Sequence, residues 1–189
     1  MKQNQRGNHR RSYRFQGHDY SAAAAYFITI VAKNRTCSFG HVAGDEMILN
    51  PLGRIADEYL RSISEHFPNA EIDVHQVMPN HVHGIIVLYE NHHRTAQAPS
   101  DVGATHWVAP TGPRGPARGS IGAMIGAYKM AVTRWAMHEL NTSDIWQRNY
   151  YDHIIRGERD WQAIREYIMS NPAYWGEDEE NPGKIRPPK

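Results

Sequence analysis

The chain has 189 residues, 40% hydrophobic and 22% charged, a balance that fits one globular domain with a real core and excludes a disordered or fibrous chain. No apolar run approaches the roughly 20 residues a membrane helix needs, and the polar, basic N-terminus lacks the apolar stretch of a signal peptide. A formal net charge of +1 excludes a strong global pull on nucleic acid, and Cys37, the single cysteine, excludes an internal disulfide or thiolate cluster, so a cytoplasmic location and no membrane partner are expected.

Residues 1–19 read as a flexible basic arm. Lys2, Arg6, Arg10, Arg11 and Arg14 come with no acid before Asp19, so the arm can neutralise phosphates, although a merely solvated terminus has the same composition. Residues 24–31 are rich in aromatic and β-branched side chains and predict a first strand. Residues 33–50 predict a loop with a small hairpin around Gly44. From Pro51 to His66, Leu52, Ile55, Ala56, Tyr59, Leu60 and Ile63 recur at helical spacing, with Asn50-Pro51 as cap and first turn. Glu71–Met78 and His81–Tyr89 predict two strands joined at Pro79-Asn80 as a hairpin. Residues 91–118, with Pro99, Pro110, Pro113 and Pro116, predict a long mobile connection.

Ser120 caps a second predicted helix running to about Leu140 and carrying Lys129 and Arg134. A short strand is expected over Asp152–Arg156, broken by Gly157. A third helix follows over Glu158–Ser170 and ends before Pro172. Residues 176–189 are charged and Pro-rich and read as a tail, which leaves residues 20–175 as the folded domain. The order strand, helix, strand, strand, helix, strand is the split β-α-β-β-α-β pattern of a ferredoxin-like α+β fold. It predicts an antiparallel sheet with the helices covering one face, and an added C-terminal helix that carries a tyrosine.

The residues most suited to chemistry are His81 and His83. In a strand, residues two apart share a face, so the imidazoles project side by side as a partial ligand set for a divalent metal. On the third helix, Tyr167 and Asn171 are four apart and lie at the margin of the stripe formed by Trp161, Ile164 and Ile168. If the histidines face that helix, two imidazoles, an amide oxygen and a phenol converge. Such a set suits Mg²⁺ or Mn²⁺, which polarises a phosphoryl group while a tyrosine attacks it. Two hydrogen-bonded histidines beside a turn, and an amphipathic tyrosine at a helix edge, are the plain alternatives.

Four segments together carry a family resemblance that covers roughly residues 10–175. They are Tyr26-Phe27-Ile28-Thr29-Ile30, Met78-Pro79-Asn80-His81-Val82-His83-Gly84, Trp146-Gln147-Arg148-Asn149-Tyr150-Tyr151-Asp152-His153-Ile154-Ile155-Arg156, and Tyr167-Ile168-Met169-Ser170-Asn171-Pro172. In these the chain resembles the REP-associated tyrosine transposases, a branch of the HUH single-strand DNA nucleases. The resemblance implies metal binding by His81 and His83, with Asn171 completing the site where related transposases often carry a glutamine. It implies Tyr167 as nucleophile, giving a 5′-phosphotyrosine and a free 3′-hydroxyl on single-stranded DNA. It further implies a hairpin or palindromic repeat as partner, and a monomer or homodimer.

Tyr150 and Tyr151 compete with Tyr167 for the nucleophile role, but their place before a short strand favours structure or DNA contact. Arg148, His153, Arg156, Lys129 and Arg134, with Trp146, form a candidate aromatic and basic DNA surface. Packing and surface charge account for the same residues. Two other functions stay open at this level: a repeat-DNA-binding protein that no longer cuts, and a metal-dependent hydrolase that uses water.

Overall fold

A computed structural model describes residues 18–90 and 116–184. Arg10, Arg11 and Arg14, and most of the 91–118 connection, lie outside the described residues. Strand β1 (Ala24–Val31) is followed by a hairpin of β2 (Gly40–Ala43) and β3 (Glu46–Leu49), which forms its own two-stranded sheet around Gly44. Helices α1 (Pro51–Arg61) and α2 (Ile63–His66) come next, then β4 (Ala70–Val77) and β5 (His81–Leu88), α3 (Ile121–Leu140), β6 (Tyr151–Ile154) and α4 (Glu158–Ser170). The main sheet has the order β4-β5-β1-β6, with every neighbouring pair antiparallel. That is the split β-α-β-β-α-β arrangement expected from the element order. No helix among the described residues is long and apolar enough to cross a membrane.

Local chemistry sets the boundaries. Asn50 caps α1 by accepting from the Gly53 N–H at 2.9 Å, with Pro51 in the first turn. The single helix expected over 51–66 divides at Ser62, whose ψ of 0° leaves helical geometry and whose hydroxyl donates to the Tyr59 carbonyl at 3.1 Å. Ser120 caps α3 through the Ala123 N–H, and Asn141, left-handed at φ +51°, closes its far end. Strand β6 starts one residue earlier than expected and stops at Ile154, because its pairing with β1 spans only Tyr26–Thr29. Arg156 therefore falls beyond the strand.

The sheet separates two kinds of neighbourhood. Tyr26, Ile28 and Ile30 of β1, with Val82, Ile86 and Leu88 of β5, pack under α1 and α3 in the main core. The Tyr128 hydroxyl ties those two helices by donating to the Ala56 carbonyl at 3.1 Å. On the other face Ala25, Ile85, Ile155 and Ile168 form a smaller core with Phe27, Val74, Trp161 and Ile164. Helix α4 closes that face, so the helices cover both faces of the sheet and not the single face expected, because α4 carries its own apolar stripe of Trp161, Ile164 and Ile168. Alternation along β5 therefore sends His81 and His83 toward α4 and away from the main core.

Candidate active site

His81 and His83 are both buried, with ring centroids 4.3 Å apart. The turn before β5 orients the first of them. Asn80 uses its amide N–H groups on the carbonyls of Arg35 (3.0 Å) and Glu180 (2.7 Å). Its Oδ1, 2.9 Å from His81 Nδ1, is left as acceptor, so His81 carries its proton on Nδ1. His81 Nε2 then presents a lone pair. His83 is fixed from the neighbouring strand, with Nδ1 2.9 Å from Thr29 Oγ1. A partner on the far ring nitrogen is the usual support of a metal-binding histidine. Burial, helped by the nearby Arg35 charge, pulls the His81 pKa down to about 3. Burial, and then the neighbouring His81, hold His83 well below its usual value. Both imidazoles are neutral at neutral pH, the form that can ligate.

Helix α4 brings the phenol. Tyr167 OH lies 3.2 Å from His83 Nε2, and its ring stands edge-on to both His83 and Phe27. Burial raises its pKa to about 12, with the Asp178 carboxylate adding to the effect. The helix is pinned to its own sheet by Asp73. A register shift in β4 between Ile72 and His75 re-aims that carboxylate, which accepts from Trp161 Nε1 at 2.7 Å and pairs with Arg165 at 3.1 Å.

The stretch read from sequence as a tail supplies a residue that no sequence signal marked. After α4 the chain turns through a short 3₁₀ segment, Trp175–Glu177, and buries Asp178. One Asp178 oxygen lies 4.0 Å from His81 Nε2 and accepts from Asn171 Nδ2 at 3.0 Å. Glu180 anchors the segment through an ion pair with Arg35 at 2.7 Å. Among the described residues, His81, His83 and Asp178 form a group whose ligand atoms lie within 4.8 Å of one another and could hold a metal ion.

The unmet polar atoms fit that use. Among the described residues, the buried side-chain atoms without a hydrogen-bond partner are His81 Nε2, Asn171 Oδ1 and Glu180 Oε2, and Arg35 answers the last by an ion pair. Leaving a buried acceptor unpaired costs about 1–3 kcal/mol, and a cation held by His81, His83 and Asp178 would give the His81 Nε2 lone pair a partner. Asn171, a candidate ligand from its helical position, spends its amide N–H on Asp178 at 3.0 Å and leaves its Oδ1 without a partner.

A groove of about 1050 Å³ opens from this cluster and is lined by Phe27, His83, Lys129, Arg148, Tyr151 and Tyr167, with Asp178, Glu179 and Glu180 at one side. Lys129 lies in the groove wall, but its ammonium donates to the carbonyls of Gln147 and Asn149. Arg148 is exposed in the groove. Arg134 is exposed on α3 beside Met137, outside this groove. His153 is bonded to Asp160 at 3.0 Å on the surface, where Arg156 is also exposed.

No family model matches the chain. A Haemophilus influenzae protein described as uncharacterized is 39% identical over 172 residues, covering 91% of this chain and 93% of that one. A second H. influenzae protein, assigned as a REP-associated tyrosine transposase, is 23% identical over 168 residues, 84% of this chain and 75% of that protein. A solved structure of a REP-associated tyrosine transposase bound to a REP hairpin shares the fold, with a TM-score of 0.55 and 19% identity over 88% of this chain and 74% of that one. The chain belongs to the family of the first of these H. influenzae proteins.

Proposed function

We propose that this chain is a metal-dependent tyrosine transposase that cleaves and rejoins single-stranded DNA, with a hairpin or repeat as its substrate. The observation that carries the reading is Tyr167 OH at 3.2 Å from His83 Nε2, beside the orphaned Nε2 of buried His81. Similarity to the transposase assigned in H. influenzae, and to the fold of the hairpin-bound enzyme, supports the choice of substrate.

His81, His83 and Asp178, with Asn171 Oδ1, would hold the cation, Mg²⁺ or Mn²⁺. Bound there, such an ion offsets the Asp178 charge and polarises a phosphate oxygen as a Lewis acid. The phenol of Tyr167 attacks the scissile phosphorus. The Tyr167 O–P bond forms as the phenol gives up its proton to water in the groove and the bond to the 3′-oxygen breaks; the departing 3′-oxygen takes up a proton from water, leaving a 5′-phosphotyrosine and a 3′-hydroxyl. Attack by a 3′-hydroxyl on the same phosphorus reverses the step and rejoins a strand without ATP.

The test is a denaturing gel of single-stranded hairpin DNA, taken from repeats near the gene, incubated with protein and Mg²⁺ or Mn²⁺. A covalent adduct at the 5′ side of the cut is expected, lost in Tyr167→Phe and in His83→Ala. Cutting without an adduct that persists in Tyr167→Phe would assign water as nucleophile. Binding without cutting under either metal would make the protein a repeat binder.

A further inference from the structure

We propose that Tyr151, backed by Phe27, is a stacking subsite for the nucleobase next to the phosphate that Tyr167 attacks. The proposal rests on the nuclease reading above. Thr29 pairs with His83 on one side and with Tyr151 on the other, so His83, Thr29 and Tyr151 form one row across the sheet. All three side chains rise on the α4 face. Two strand spacings place the Tyr151 backbone about 10 Å from that of His83, beside the cleavage point yet clear of the metal ligands. The Tyr151 residue is 47% exposed on the edge strand β6. Its ring packs edge-on against Phe27 at 6.3 Å, and Phe27 in turn stacks on His83 at 5.3 Å. The outer ring therefore has a rigid support and an open face in the groove. Arg148, exposed in the same groove, supplies a cation for the adjoining phosphate. An aromatic face beside a backbone cation is the standard means of holding single-stranded nucleic acid without reading its sequence. An ordinary edge-strand tyrosine would also be exposed, but it would owe nothing to DNA.

The experiment uses the full chain as wild type, Tyr151→Leu and Tyr151→Phe. A single-stranded oligonucleotide carries 2-aminopurine, or an abasic site, at successive positions around the cut. Tyr151→Leu is expected to bind about 5- to 150-fold more weakly, with Tyr151→Phe within about twofold of wild type. At one position 2-aminopurine fluorescence is quenched by wild type and Tyr151→Phe and not by Tyr151→Leu. An abasic site there weakens wild type and leaves Tyr151→Leu unchanged. Wild-type affinity and quenching in a folded Tyr151→Leu that still forms the Tyr167 adduct would remove the stacking site and leave the nuclease reading intact. A wild type that binds but forms no adduct would remove the nuclease reading, and with it this subsite's stated place beside the attacked phosphate. Failure of wild type to bind single-stranded DNA would overturn both.

Discussion

The two faces of the main sheet are made from alternate residues of the same strands, yet they differ in kind. Under α1 and α3, Tyr26, Ile28, Ile30, Val82 and Ile86 are fully buried among apolar neighbours. Under α4, Thr29, His81 and His83 are also buried, but as polar groups with matched partners and one atom, His81 Nε2, left unmet. One face is closed by two helices, α1 and α3, and sets stability. The other is closed by a single helix beside an open groove and holds chemistry that a fully apolar packing would not need. Separation by one residue along a strand is enough to divide these roles, because adjacent side chains point through opposite faces.

Substitutions on one face should therefore leave the other's property alone. Ile86→Ala should have the largest effect on stability, about 2–5 kcal/mol by denaturant unfolding, because it leaves a cavity in the main core. Metal affinity should stay within a few-fold in the folded variant; a large loss of affinity would show that the faces are not independent. Metal provides the converse. Mn²⁺ at about 100 times its dissociation constant should stabilise the wild type by about 2.7 kcal/mol, a rise in Tm of roughly 5–10 °C for a domain of this size. The rise should vanish in Asp178→Ala and His81→Ala. An equal rise in Asp178→Ala would remove that carboxylate from the metal site.

The third effect is smaller and concerns protons. Both histidines titrate below their ordinary value near 6.5 in the folded state. Below that pH the unfolded chain binds more protons than the folded one, so metal-free stability should fall as pH drops from about 6.5 toward about 3, where His81 titrates in place. The slope is at most about 1.4 kcal/mol per pH unit for each histidine. Measured between pH 6.5 and 5, above most carboxylate titration, it should flatten in His81→Gln. A wild-type slope no steeper than that variant's would mean His81 is not held neutral by burial.

The legible part of this protein was local. Period-two and helical spacings predicted the strand and helix order, and with it the face shared by His81 and His83. Spacing of four on one helix likewise put Tyr167 and Asn171 on one side. The break at Ser62 was not legible, because the apolar spacing runs straight through it to Ile63. Nor was Asp178. It sits in the run Glu177-Asp178-Glu179-Glu180, where no periodicity singles out one acid. Its nearness to the tyrosine helix was the only available hint. Asp73 was equally silent, since its reach to Trp161 and Arg165 depends on a local shift of register in β4.

By itself, the sequence determined which residues share a face: alternation and helical period act over a few residues and need no knowledge of the rest of the chain. Tertiary structure alone decided which of those faces meet. It laid α4 on the histidine side of the sheet, used Asn80 to leave the His81 Nε2 lone pair free, and turned the chain after Pro172 so that one acid of four is buried against that nitrogen. Those choices come from contacts between residues about 100 positions apart, such as Asn80 with Glu180, which only the closed fold brings together.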